Sequence, residues 1–392
     1  MNKKALFTIF LIILTDIIGF GIIIPLLPTI STNLGIKGIA LGLLTASYAL
    51  AQFISSPILG NLSDKYGRKP ILVFSKAGTV LAYIMLAFSN SYYLILLSRL
   101  IDGFTGGNIP AARAYISDVT TKENRARGMA IIGIAFGLGF ILGPALGGIF
   151  FSIGKSKTLP ALVGAGLSLL SLILTQLFLD ESHRENMDTS KNRNFSIKNF
   201  FIIFKHPEIK KILGLVFVTT LVVSGIQTTL PFFTHKLFGF TTEQNSYMLI
   251  YLGILGLITQ GVLAKKKIKN TNLAINLGLI LLALGIVLIA IMPIVAGLMI
   301  VLGIYSAGGG LIQIFLPTAL STTSSTDPEG EIMGAYEGVS SLSRVIGPAI
   351  FGSLVLTVPR QIYFMSGVSL LMLIFWLKTV RTKRGISNSD SR

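Results

Sequence analysis

Long apolar runs alternate with short polar loops along most of the chain. A helix needs roughly 20 apolar residues to cross a bilayer core. On that rule the pattern predicts twelve spans, at about 6–30, 40–62, 70–88, 92–117, 128–150, 159–179, 211–234, 245–263, 272–291, 294–320, 330–357 and 361–378. The longest polar segment, about Asp180 to Lys211, divides them six and six. The expectation is an all-α integral membrane protein with one six-helix bundle at 1–180, a linker at 181–210 and a second bundle at 211–392. Within the linker, Ile197 to Phe204 reads as a basic amphipathic helix lying on the membrane surface. The halves echo each other: Glu123 to Gly128 has a counterpart in Glu329 to Gly334, and Gly143-Pro144 in Gly347-Pro348. Two pseudo-symmetric bundles follow, the parallel-repeat plan in which a site lies between halves that rock about it.

Composition agrees. Of 392 residues 52% are hydrophobic and 12% charged, against about 25% charged in soluble domains, and the mean hydropathy is +0.75. The start, Met1-Asn2-Lys3-Lys4 and an apolar run, resembles a secretory signal, but the run continues to about Ile30 with no small-residue cleavage site. It reads as a retained first span. A net charge of +17 raises the question of nucleic acid, yet the basic residues sit in short loops and form no amphipathic face. Only Lys37, Lys155, Lys157, Lys236 and Arg360 of the 33 basic residues fall in loops on one side of the predicted spans. The opposite bias places both termini and the linker in the cytoplasm.

Several chemistries drop out. With no cysteine there is no thiolate, disulfide or Cys-based metal site. His183, His206 and His235 are far apart, with no i, i+4 pair for a metal. Gly154-Lys155-Ser156 is a near miss for a phosphate loop, because the preceding glycine has the wrong spacing and no strand precedes it. No polar domain is large enough for a catalytic constellation. An enzyme is not expected, nor is a cofactor.

Ionisable groups inside the bilayer cost roughly 2.5–3.5 kcal/mol each at mid-helix, so each is a functional candidate. Asp16 lies near the middle of the first span and has no partner within it. Arg99 and Asp102 are three apart on the fourth span, on one face. Glu337 and Arg344 share a face of the eleventh, and Gln227 is a lone amide in the seventh. Lys76 and Arg113 sit within about two turns of the cytoplasmic surface, which suits basic side chains that snorkel outwards.

The stretch Gly60-Asn61-Leu62-Ser63-Asp64-Lys65-Tyr66-Gly67-Arg68-Lys69-Pro70 packs one acid, three basic residues and two glycines between apolar runs. It resembles the signature loop of the major facilitator superfamily of transporters, whose fixed positions Gly60, Leu62, Asp64, Gly67, Arg68 and Lys69 fill. In the first span Gly19, Gly21, Pro25 and Pro28 resemble the pattern of twelve-span drug–proton antiporters. Arg99 with Gly103, Gly106 and Gly107 resembles the family's embedded arginine motif. Gly139-Phe-Ile-Leu-Gly143-Pro144-Ala-Leu-Gly147-Gly148 resembles the fifth-span antiporter pattern. The first half, with Gln260, Gly334 and Gly347-Pro348, looks most like the tetracycline exporters. Each motif also has a packing reading, since glycines let helices approach and Gly-Pro marks a tolerated kink.

The resemblance implies a proton-coupled exporter of a small amphipathic compound, working by alternating access in the inner membrane. Protons, substrate and lipid are its partners, and it is expected to act as a monomer. An uptake carrier for a sugar, organic acid or siderophore is the rival on the same fold. Asp16, Asp102 and Glu337 become proton-coupling candidates, because a carboxylate in a low-dielectric cavity can hold a proton and release it when water or a cation arrives. The competing reading of Asp16 is a buried acid paired with a base on another helix. Arg99, Arg113, Gln227 and Arg344 become candidates for the substrate cavity. Gly60, Asp64, Gly67, Arg68, Lys69, Gly139, Gly143, Pro144, Gly147 and Gly148 become candidates for the conformational gate. Asp64 is expected to accept from the helix N-terminus of the eleventh span near Gly330 to Gly334. The glycine face of the fifth span is expected to pivot against the other half. One departure stands out: the exporters carry a further acid in the third span, where this chain has Ala82.

Overall fold

The structure, a computed structural model, describes residues 3–120, 122–182, 207–265, 271–323 and 329–373. The linker with its expected surface helix, His183 and His206 lie outside these residues. The helices are α1 (Lys3–Ile23), α2 (Leu27–Leu34), α3 (Gly38–Tyr66), α4 (Arg68–Phe88), α5 (Tyr92–Thr105), α6 (Ile109–Val119), α7 (Lys122–Gly154), α8 (Thr158–Phe178), α9 (Pro207–Phe238), α10 (Thr242–Lys265), α11 (Thr271–Ile291), α12 (Val295–Thr323) and α13 (Glu329–Leu354), with α14 over 359–373. No strand occurs among the described residues. A helix, or a pair joined by one 3₁₀ turn, lies wherever a span is expected. Among the described residues 8 helical stretches are long and apolar enough to cross a membrane by length and composition alone. The fold is all-α and the chain is a multi-pass membrane protein.

Two spans are broken, and proline and glycine explain both. Pro25 sits in a 3₁₀ turn, Ile24–Leu26, between α1 and α2. Gly106–Asn108 forms the turn between α5 and α6, with Pro110 in the first turn of α6. Proline lacks the N–H that would continue the helix, and glycine loses most on being fixed in one. Neighbouring helices satisfy the carbonyls freed in the fourth span. Gln52 Nε2 donates to Gly106 O at 2.9 Å, and Ser75 Oγ donates to Thr105 O.

Many large apolar side chains face outwards, among them Tyr93, Ile39, Ile300 and Leu177. On a soluble protein that would be an aggregation surface; on a multi-pass membrane protein such a surface is expected. Because lipid is as apolar as leucine, helix association in a bilayer rests on close packing and interhelical hydrogen bonds.

The chain forms two compact units: Met1–Asn194 with Gln227–Gly253 and Arg344–Leu356, and Phe195–Ile226 with Ile254–Ser343 and Thr357–Arg392. In the first, the opening span has 78% of its most apolar window buried. Ile9, Ile12, Ile13 and Ile17 pack there against Leu59, Leu72, Tyr115 and Ile116. Glycines bring backbones together around it. A Cβ on Gly143 would sit 2.7 Å from Gly21 Cα, and one on Gly147 2.5 Å from Ile22 O. A Cβ on Gly103 would sit 2.2 Å from Tyr48 O. At the end away from the Gly60–Pro70 loop, Thr45 Oγ1 donates to Pro348 O at 2.9 Å and Thr29 Oγ1 lies 2.8 Å from Thr242 Oγ1. In the second unit α11 and α12 use the same device: a Cβ on Gly285 would sit 2.7 Å from Tyr305 Cα. Gln260 Nε2 donates to Gln313 Oε1 at 3.0 Å in that unit.

Candidate functional site

The densest polar feature of the described interior is a charge cluster at the break in the fourth span. Asp16 reaches it from α1, Lys76 from α4, Arg99 and Asp102 from α5, and Asn108 from the 3₁₀ turn. All five are buried, Lys76 and Asn108 completely.

The cluster consists of two ion pairs. Lys76 Nζ lies 2.6 Å from Asp16 Oδ1 and also donates to Ile12 O at 2.6 Å and Thr15 Oγ1 at 3.0 Å. All three ammonium hydrogens are therefore used. Asp16 Oδ2 accepts from Asn108 Nδ2 at 3.0 Å, and that amide donates also to Ser75 Oγ at 2.6 Å. In the second pair Arg99 Nη1 lies 2.8 Å from Asp102 Oδ2, which accepts as well from Tyr83 Oη at 3.3 Å. The Arg99 guanidinium stands 5.0 Å from the centroid of the Tyr48 ring, a cation–π contact that desolvation strengthens.

Two acids and two bases leave the cluster neutral when all are charged. Removing one partner of such a pair typically costs about 3–5 kcal/mol, because the other is left as an uncompensated buried charge. A bound proton makes the cluster +1 and neutralises one acid. This is the arrangement's chemical capacity: it can hold a proton away from bulk water and change its pairing when it does.

The Arg99–Asp102 pair has the i, i+3 geometry expected of it. Asp16 does not stand alone, because its partner is on another helix. Lys76 corrects an expectation: it does not snorkel to the surface but is 0% exposed. Three hydrogen-bond acceptors hold the ammonium inside, so reaching water offers it nothing.

The Gly60–Pro70 stretch is a tight reversal between α3 and α4. Gly67 has φ +99 and ψ 157, a conformation essentially confined to glycine. Asp64 at the end of α3 pairs with Arg68 at the start of α4 at 2.5 Å, and Arg68 Nε reaches Asp118 Oδ2 at 3.3 Å. Ser63 Oγ accepts from Arg68 Nη1 at 2.7 Å. The acid on the nearby helix N-terminus is Glu181, whose carboxylate accepts from Arg68 N at 2.9 Å and Lys69 N at 3.2 Å. A negative group there answers the free N–H groups and the positive helix end. The side chains near Gly330 to Gly334, the expected partner of Asp64, lie outside the described residues. Gly60 is not sterically demanded, since a Cβ there would meet Pro110 Cβ at an ordinary 3.5 Å.

The glycines of the fifth-span run pack mainly against the first span. Gly139, Gly143 and Gly147 face Ile17, Gly21 and Ile22 of α1, and Pro144 lies beside Gly21, all within the first half. Only Gly148 of this set faces the other half of the sequence, against Ser246. Gln227 and Arg113 are exposed on α9 and α6; Arg344 is exposed and Glu337 half-buried on α13. The division between the two units falls between Ser343 and Arg344.

Sequence reasoning missed Lys76 as a partner, Asn108, Ser75 and Glu181. The Gly106-Gly107-Asn108-Ile109-Pro110 composition could have flagged the break, and with it Asn108. Glu181 was hidden among the polar residues that open the linker.

The sequence profile of the Major Facilitator Superfamily matches residues 9–348. Tetracycline resistance protein, class H, of Pasteurella multocida is 33% identical over 358 residues, covering 89% of this chain and 88% of that protein. Multidrug resistance protein 2 of Bacillus subtilis (strain 168) is 26% identical over 357 residues, covering 88% of each. The crystal structure of the human organic anion transporter MFSD10 (TETRAN) superposes with a TM-score of 0.70 at 23% identity, covering 95% of this chain and 98% of that one. With a profile match along most of its length and a relative at this identity over nearly nine-tenths of both chains, the protein is a transporter and not an enzyme, and it belongs to the Major Facilitator Superfamily.

Proposed function

We propose that this chain is a proton-coupled secondary transporter that exports a small amphipathic compound by alternating access. The observation that carries the reading is the buried Asp16–Lys76 pair beside Arg99–Asp102. Such costly groups are kept inside a membrane where they carry a proton or meet a substrate. Similarity to a tetracycline resistance protein and a multidrug resistance protein supports export. The relevant membrane is the cell's inner membrane, with both termini in the cytoplasm, as the distribution of basic residues favours. The working halves are the bundles at 1–180 and 211–392 joined by the linker 181–210. The energetics suffice: one proton entering across 100 mV releases about 2.3 kcal/mol, which holds roughly a 40-fold gradient of a neutral substrate.

Asp16 is the first candidate for the exchanging carboxylate, with Asp102 and Glu337 behind it. Arg99, Arg113, Gln227 and Arg344 are the candidates for substrate contact. Arg113 and Arg344 suit an anionic group, in line with the name of the organic anion transporter that shares the fold. Ala82 in place of the exporters' third-span acid leaves the tetracycline–magnesium cation without that counter-charge, so the compound class is kept general.

Counterflow in proteoliposomes with a substrate panel and an imposed pH gradient tests the reading. The expected result is substrate movement opposite to the proton gradient. Movement in the same direction as protons would instead identify an uptake carrier.

A further inference from the structure

We propose that Lys76 and Asn108 are the positioning residues of the Asp16 carboxylate, giving it hydrogen-bond partners in both its ionised and its proton-bearing form. This deepens the proton-coupled reading and rests on it.

Lys76 serves the ionised form. Its ammonium is wholly buried and donates to Asp16 Oδ1, Ile12 O and Thr15 Oγ1. Two of these acceptors are neutral, so the ammonium keeps its place when Asp16 loses its charge. Asn108 serves the other form. Its Nδ2 bonds Asp16 Oδ2 and Ser75 Oγ, while its Oδ1 is buried with no hydrogen-bond partner. A side-chain amide carries both donors and an acceptor, and half a turn about its last bond exchanges them. A hydronium ion delivers its proton to Asp16 Oδ2 and leaves as water; the new O–H then donates to Asn108 Oδ1. Ser75 Oγ, which meets the same end of the amide, turns its hydroxyl from Thr105 O to Asn108 Oδ1 in that form.

The remaining groups facing this centre are few. Tyr83 comes from α4, Arg99 and Asp102 from α5, and Tyr48 from α3, with Arg99 and Asp102 already paired. No ionisable residue occurs in α8, and those of α7 lie at its Lys122 end. Asp16 therefore has Lys76 as its direct ion-pair partner among the described residues. With Lys76 present, a proton on Asp16 must share the site with a fixed cation. Without it, a buried and unpaired carboxylate neutralises itself by keeping a proton.

The test is infrared spectroscopy of the purified full-length protein near neutral pH, without substrate. Lys76→Met should show a carboxylic acid band that wild type and Lys76→Arg lack and that Lys76→Met/Asp16→Asn removes. On acidification wild type should gain a band that Asp16→Asn lacks, and Asn108→Leu should move that band to the higher frequency of an acid without an acceptor. A folded Lys76→Met protein with no acid band, or a band already present in neutral wild type that Asp16→Asn removes, overturns the role of Lys76. An unmoved band in Asn108→Leu overturns that of Asn108. If Lys76→Met does not fold, the uncharged double variant should; equal loss in both overturns the pairing. Because no substrate is involved, failure here is separable from failure of exchange, which counterflow reads.

Discussion

The Glu181 carboxylate occupies the space that a side chain on Gly67 would need: a Cβ there would lie 2.4 Å from Glu181 Oε2. The same carboxylate caps α4 through the Arg68 and Lys69 N–H groups. Gly67→Ala should therefore destabilise the protein twice over, by about 1–3 kcal/mol for the backbone conformation and further by displacing the cap. Thermal unfolding in detergent checks this. In a Glu181→Ala background Gly67→Ala should cost less but not nothing; full rescue would mean that the backbone conformation carries no strain.

The glycines of the motifs are not equivalent. Gly143→Ala should lower stability by about 1–3 kcal/mol, because its Cβ would press on the Gly21 backbone of α1. Gly60→Ala meets only an ordinary contact with Pro110 and should fold and transport nearly as wild type. Parallel unfolding and transport assays on the two variants decide it. Equal loss from both would mean that the close approach of α1 and α7 is not what the glycine run serves.

At the end away from the Gly60–Pro70 loop, Thr241 and Gln244 form a reciprocal cap on α10, with Thr241 N donating to Gln244 Oε1 at 2.9 Å and Gln244 N to Thr241 Oγ1 at 3.3 Å. Glu243 lies in that first turn, 3.8 Å from Lys155 Nζ. Partial burial pushes its carboxyl up, but the backbone N–H, Thr241 and Lys155 together outweigh burial and hold it below the ordinary 4.5. The folded state thus binds fewer protons than the unfolded state. Its contribution is present above the ordinary value and is lost as the pH falls through the folded one. Wild type should unfold at a higher temperature than Glu243→Gln at neutral pH, and the difference should close as the pH falls below the ordinary carboxyl value and through the lower folded one. A difference that persists in acid would assign the effect to packing.

Periodicity and length made the spans legible, because an apolar run of about twenty residues has few other uses. The i, i+3 spacing of Arg99 and Asp102 also announced their pairing, since both lie on one helix. The pairing of Asp16 with Lys76 joins residues on different helices, and nothing in either local sequence specifies which helices meet. Each looked complete alone, Asp16 as a lone acid and Lys76 as a surface-seeking base. The break at Gly106–Asn108 was hidden by hydropathy, which averages over a turn that remains apolar overall. Glu181 reaches the N-terminus of α4 only because α8 returns the chain to that end.

The central claim is that Asp16 exchanges a proton during transport. Its most direct test uses purified protein in weakly buffered detergent with a pH dye, at the acidic pH at which wild type carries the Asp16 proton, challenged with the compound that gives the strongest counterflow. Wild type should release protons on binding and Asp16→Asn should not, while retaining part of its affinity for the compound. Equal release from both proteins would move the exchanging group to Asp102 or Glu337, and no release from either would contradict proton coupling altogether.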